Sequence, residues 1–186
     1  MPGLFCSLRS TELQYKILYE VFYIKVMETN MAVNIRAKGQ RGEREVCDFF
    51  NAIYAEIYAE LGMQLPEKPI AQRNQNQSAV GGCDISNTCH HAVEVKNHAT
   101  PQVNTWWKQT VQSAKELGRY PVLMYKIERK GWKVVLPLNP VVFSNGEWQW
   151  YEVKDSIRAE ISLDDYRIIF KAHAKCYLIE RGSLMS

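Results

Sequence analysis

Between Gly81 and Lys96 the chain sets an acid, Asp84, behind a pair of glycines, and follows it with the alternating run His91-Ala92-Val93-Glu94-Val95-Lys96. Side chains on a strand repeat every two residues, so Val93 and Val95 share one face, and Glu94 and Lys96 the other. Ser86-Asn87-Thr88 is turn-like in composition. The two halves therefore read as neighbouring strands of a hairpin. Folded that way, two carboxylates and an ammonium meet at one edge of a sheet. Such a group suits a hard divalent cation, with the lysine beside it to steady a charged transition state.

A chain of 186 residues is long enough to bury a core as one domain. Its net charge of +3 is too small to argue for a nucleic-acid partner. Any such face must come from local clustering and would be salt-sensitive. The five cysteines are an odd number at irregular spacings. That favours reduced thiols in a cytoplasm-like compartment over a disulfide framework.

Residues 1–30 read as an N-terminal extension, with an amphipathic helix over 11–28. Glu12, Lys16, Glu20 and Lys25 interrupt its apolar run. It is too charged and too short to span a membrane, and no signal-peptide pattern follows. Met31 is an alternative start, because the organised region begins near Arg36. Residues 31–186 then form a single domain, with a core over 36–137 and a C-terminal hairpin and helix over 138–186.

The spacing of Val46, Phe49, Phe50, Ile53, Tyr54, Ile57 and Leu61 predicts a helix over 39–62, stopped by Gly62. Its entry is basic, with Arg36, Lys38, Arg41 and Arg44 around Gly39 and Gly42. Glu43, placed in the first turn, reads on this segment alone as a helix-dipole residue. Residues 63–80 form a loop with a short strand near Pro69–Gln72. The polar run Gln72–Ser78 has nothing apolar to bury, and its amides with Arg73 suit a phosphate backbone.

A second helix is expected over 102–117, ended by Gly118, with Trp106 and Trp107 pointing in different directions. Strands follow at Pro121–Lys126, central in the sheet, and at Trp132–Pro137, joined by a turn at Lys130-Gly131. A hairpin about Asn145-Gly146 occupies 141–154, and Leu163–Phe170 makes a short closing helix. A mixed central sheet flanked by helices, an α/β fold, accommodates this order.

Several ordered segments together resemble the PD-(D/E)XK nuclease superfamily, and within it the Holliday junction resolvases of archaea and phages. They are Lys38-Gly39-x-x-x-Glu43-Arg44, Arg73–Ser78, Gly81-Gly82-x-Asp84-Ile85, Glu94-Val95-Lys96, Trp106-Trp107-x-Gln109 and Pro121-Val122-Leu123, spread over about 36–137. Cys83 stands where the superfamily name places a proline, a departure the family tolerates. The resemblance implies a restriction-endonuclease-like core and a Mg²⁺-dependent DNA endonuclease, with Mn²⁺ able to substitute. It implies catalytic residues Glu43, Asp84, Glu94 and Lys96, and metal ligands Asp84, Glu94 and the Val95 carbonyl. It further implies phosphate contacts from Arg36, Lys38, Arg41, Arg44 and Arg73, with Gln77, Ser78, Gln109 and Gln112 as positioning residues. Its substrate would be four-way DNA junctions, cut by a homodimer in the cytoplasm and away from any membrane, in recombination or phage DNA processing.

Three other readings compete. Cys83, Cys89, His90, His91 and His98 are metal-capable, yet they lack the paired spacings of structural zinc sites. A catalytically idle DNA-binding protein of the same fold has no need of buried acids that repel phosphate. A repair or restriction-like nuclease could use the same four residues on other DNA.

Overall fold

The computed structural model describes residues 25, 35–74, 82–138, 142–144, 147–149 and 158–183. The chain divides into two compact units, Met1–Lys38 and Gly39–Ser186. Within the first, Lys25 and residues 35–38 are helical. The first long helix, α1, is helical over residues 35–60. Since α1 is already under way at residue 35, Glu43 lies about two turns in, not in the first turn. Its carboxylate is too far from that end to serve as a dipole partner.

The larger unit is built on six strands in the order β1 (Gln72–Arg73), β2 (Ile85–Ser86), β3 (His91–His98), β4 (Tyr120–Ile127), β5 (Trp132–Pro137) and β8 (Arg158–Ser162). Strands β3 and β4 run parallel, and every other neighbouring pair is antiparallel. The parallel pair is bridged by α2 (Val103–Leu117), as parallel neighbours require a long crossover. Gly118 ends α2 in a left-handed conformation at φ 60°, which costs glycine least. The expected hairpin also forms, as β6 (Val142–Ser144) against β7 (Glu147–Gln149) in a separate small sheet. The rest of the expected 141–154 segment, Trp150 included, lies outside the described residues.

Alternation along the strands decides which residues meet which helix. On one face Val93, Val95, Val122, Met124, Val134 and Leu136 pack against Val46, Phe50, Ile53 and Ile57 of α1. On the other, Leu123, Tyr125 and Val135 cover Trp106 and Trp107 of α2. Both tryptophans are buried, so although they point in different directions both serve as packing.

Two elements depart from expectation. The closing helix, α3, runs Leu163–Ser183 and is far longer than the segment to Phe170 that the sequence suggested. Tyr166, Phe170 and Ala174 recur at helical spacing, are fully buried, and complete the core under α1. Strand β8 has no counterpart in the sequence reading, because Arg158-Ala159-Glu160-Ile161-Ser162 carries too few apolar residues to announce a strand. It is an edge strand of mostly half-buried residues, a place where such composition is tolerated. The hairpin turn is also displaced. Ser86 belongs to β2, and the chain reverses over 87–90, with Asn87 and Cys89 at φ 58° and 54°.

Candidate active site

The site is assembled where α1, β1, β2 and β3 come together. Helix α1 reaches it through Gly42, where an added Cβ would lie 3.1 Å from the Asn97 Cβ and 3.4 Å from the Trp132 ring. A side chain here would crowd β3, and glycine lets the helix lie this close without displacing it. Glu45 fixes the approach by accepting hydrogen bonds from Lys126 Nζ at 2.9 Å and Trp132 Nε1 at 3.0 Å. Glu43, between these two anchors, accepts a bond of 2.5 Å from Arg73 Nε on β1.

Asp84 is held beside β3 by its own backbone and side chain together. Its N–H donates to the Val93 carbonyl at 3.0 Å, and its Oδ2 accepts from the Val95 N–H at 2.7 Å. These two bonds bracket Glu94. On the other side Asn74 donates its backbone N–H to the Asp84 carbonyl at 2.8 Å and its Nδ2 to the Cys83 carbonyl at 3.1 Å. Asn74 thereby splints the turn that carries Asp84, a role the sequence reading assigned to no residue. The local signal is its position next to Arg73 in a polar run whose composition suits a solvated connection as well as a phosphate-binding loop.

Glu94 and Lys96, two apart on β3, pair at 2.6 Å between Lys96 Nζ and Glu94 Oε1. Asp84 and Glu94 are both buried, at 8% and 7% exposure. Burial is the main force raising the Asp84 carboxyl to about 7, followed by the negative charge of Glu94, with a smaller push from Glu43. The Val95 N–H and the Lys96 ammonium oppose that rise without cancelling it. A buried carboxylate beside like charges is an arrangement completed by a cation.

Glu43, Arg73, Asp84, Glu94, Val95 and Lys96 are thus brought into one neighbourhood. Arg41 and Arg44 are exposed on α1, while Arg36 and Lys38 belong to the smaller unit. Gln109 is exposed on α2, and Gln112 donates within its own helix to Glu116 at 2.8 Å. Gln77 and Ser78 lie outside the described residues.

The residues of the zinc alternative are engaged elsewhere. Cys83 is buried and its Sγ donates to the Ile85 carbonyl at 3.1 Å. Cys89 is 3.1 Å from the Tyr54 hydroxyl, and His91 bonds Tyr166 at 2.8 Å and His173 at 2.9 Å. Cys89, His90 and His91 line a cavity of about 180 Å³ against α3. Among the described residues no three His, Cys, Asp or Glu are grouped to hold a metal ion. The four described cysteines are free thiols.

A mixed sheet between helices, carrying an acid at the entry to one strand and acid-x-lysine on the next, defines the PD-(D/E)XK class of nuclease. Over residues 34–176 the chain matches the family described as "Phage putative PDDEXK endonuclease". It belongs to that family, and it is a nuclease. The match extends well past residue 137, where the sequence resemblance ended, and takes in most of α3. Among solved structures the chain is similar to Hjc, a Holliday junction resolvase of the archaeal hyperthermophile Archaeoglobus fulgidus. The identity is 16%, with 54% of this chain and 85% of that one covered, at a TM-score of 0.33. Comparison with curated proteins gives no significant match. Nucleases of the PDDEXK type generally use divalent metal ions. No described helix is long and apolar enough to cross a membrane.

Proposed function

We propose that this chain is a Mg²⁺-dependent DNA endonuclease that cuts four-way junctions as a homodimer. The observation that carries the metal reading is the pair of buried carboxylates, Asp84 and Glu94, which the bonds from Asp84 to Val93 and Val95 hold side by side. Both carboxylates are accounted for once a divalent cation lies between them. Asp84 and Glu94 would hold it, with the Val95 carbonyl as a third oxygen. A strand residue points its N–H and C=O to the same side, and the Val95 N–H already faces Asp84. A small set of protein oxygens fits Mg²⁺, which keeps several of its waters, and Mn²⁺ accepts similar donors. When bound, the ion supplies Lewis-acid polarisation of a phosphate oxygen and lowers the pKa of a bound water.

The chain's own residues do the rest. Lys96, restrained by Glu94, offers an ammonium to charge developing on the phosphate or to the attacking water. Glu43 adds negative charge at the α1 side of the site. Arg36, Lys38, Arg41, Arg44 and Arg73 bind backbone phosphates, with Gln77, Ser78, Gln109 and Gln112 as positioning groups.

The junction substrate is supported by the ordered set of segments that resembles archaeal and phage resolvases. A homodimer follows from the need for two symmetric cuts, and the free thiols suit a reducing cytoplasm. The test compares a four-way junction with flap, nicked, linear duplex and single-stranded DNA, with and without Mg²⁺. Paired incision of the junction in Mg²⁺ is expected. Preference for a fixed linear sequence would reassign the substrate and leave the nuclease intact. Binding without cleavage under any divalent metal would identify an idle member of the fold.

A further inference from the structure

Two buried carboxylates, Asp84 and Glu94, and a third outside that pair, Glu43 at the α1 side, stand against two cations, and the cations are not used alike. Lys96 pairs with Glu94 on its own strand. Arg73 crosses from β1 to the helix and takes Glu43 with its Nε alone, at 2.5 Å. Its terminal nitrogens make no hydrogen bond among the described residues, and its side chain is 22% exposed. A guanidinium held through Nε keeps free its terminal fork, which matches a phosphate. Arg73 stands opposite Ile85 on the neighbouring strand, one residue from Asp84, so the carboxylate it holds lies beside the segment that carries Asp84.

We infer that Arg73 is a counter-ion latch, which neutralises Glu43 in the free protein and is drawn off it by a DNA phosphate. Once released, Glu43 adds its charge to the Asp84–Glu94 pair and strengthens cation binding. DNA and metal therefore promote each other's binding, and the DNA-free protein holds its metal weakly. Such coupling is reciprocal by thermodynamic necessity. The inference rests on the metal-site reading above and goes beyond it, by giving Arg73 an action on the metal site as well as on the phosphate.

The test titrates Ca²⁺, a hard oxygen-seeking cation, into the DNA-free full chain by calorimetry. It uses wild type, Arg73→Gln, Glu43→Gln and the double variant, with Asp84→Asn as the control for the site itself. Arg73→Gln should bind Ca²⁺ roughly three- to tenfold more tightly, the scale of removing one partly buried ion pair. That gain should vanish in the Glu43→Gln background, as a double-mutant cycle requires of a pairwise effect. Arg73→Lys keeps a cation on Glu43 and should leave Ca²⁺ affinity unchanged while weakening the coupling. Coupling is read as the change in junction affinity, by fluorescence anisotropy, on adding Ca²⁺. Melting temperatures establish that each variant folds, and Arg73→Lys carries the test if the Gln variant does not. Unchanged Ca²⁺ affinity in Arg73→Gln, or a gain that survives without Glu43, overturns the latch while Asp84-dependent binding keeps the metal site. Loss of Asp84 dependence in wild type removes the metal site, and the latch with it.

Discussion

Asp84 and Val95 are joined by a 2.7 Å hydrogen bond from the Val95 N–H to Asp84 Oδ2. This bond favours the charged carboxylate, yet burial and the neighbouring Glu94 outweigh it, and the group is raised to about 7. Unfolded, the same group titrates near its ordinary value of 3.8. Between these values the native metal-free protein holds a proton that the unfolded chain has lost. This contribution therefore makes stability fall as pH rises from about 4 to about 7, with the full cost present above that window. Asp84→Asn should raise the melting temperature of the metal-free protein at pH 8 by roughly 3 °C or more, for a gain above about 1 kcal/mol. At pH 4 it should change little. Scanning calorimetry in EDTA reads both, and an unchanged melting temperature at pH 8 would contradict the assignment.

His91 works in the opposite direction. Fully buried between Tyr166 and His173, it is pushed down from 6.5 to about 3, first by burial and then by the His173 charge. It stays neutral in the fold while the unfolded chain takes a proton below 6.5. Its contribution is present above that pH and is lost as pH falls toward 3. In wild type this slope and that of Asp84 oppose each other between about 4 and 6.5. Asp84→Asn should leave the histidine limb unopposed, with His90 and His173 adding to it in the same direction, so that stability rises with pH by up to about 1.4 kcal/mol per unit for each proton involved. Urea midpoints at half-unit intervals test this.

Lys96 separates catalysis from metal holding. Lys96→Met should lower single-turnover cleavage by about 100-fold or more, the scale for losing a group that meets developing charge. Because the same ammonium pairs with Glu94 at 2.6 Å, its removal also frees a carboxylate oxygen. Cation binding should then be retained or strengthened. Loss of Ca²⁺ binding together with cleavage would mean that Lys96 builds the site rather than acting in it.

The short-range parts of the site were legible to the extent that they followed period and type. Glu94 and Lys96 share a face because a strand alternates, and Asp84 lies beside them because the glycine pair and the following turn bring β2 back along β3. What local pattern cannot report is pairing between distant elements. Arg73 on Glu43, Glu45 on Lys126 and Trp132, and Asn74 on the Asp84 turn each join segments well separated in the chain. The C-terminal helix was underestimated because its apolar stripe is thin. Tyr166, Phe170 and Ala174 are its fully buried residues, while Ile168 stands 71% exposed. A stripe so sparse fixes no end point by itself.

Gly42 tests whether helix approach sets the site. A methyl group there meets the Asn97 Cβ at 3.1 Å, so Gly42→Ala must push α1 away from β3 by a few tenths of an ångström. Glu43 moves with it. Misplacement of this kind weakens positioning well before it unfolds a protein. Gly42→Ala should lose several-fold in cleavage with a modest stability cost of about 1 kcal/mol, and Gly42→Val should lose more of both. Retention of full cleavage in the valine variant would show that this contact does not position Glu43.

The last dependence is on α3, which supplies no proposed site residue. Phe170 packs edge-on against Phe50 at 4.5 Å between ring centroids and against Tyr54 at 5.7 Å, in the layer directly behind Val93 and Val95. The ion pairs flanking it, Lys171 to Glu56 and Glu60 and Lys175 to Glu60, lie toward the surface and contribute little. Burial of the aromatic residues is what joins α3 to α1. Phe170→Ala should therefore cost about 3–5 kcal/mol by urea denaturation, whereas Lys175→Ala should stay within about 0.5 kcal/mol. The β3 strand carries Glu94 and Lys96 on one face and rests on this core with the other. Phe170→Ala should consequently lose cleavage in step with its folded fraction as urea is added. Cleavage lost at a urea concentration where the fold is intact would instead give α3 a direct part in the site.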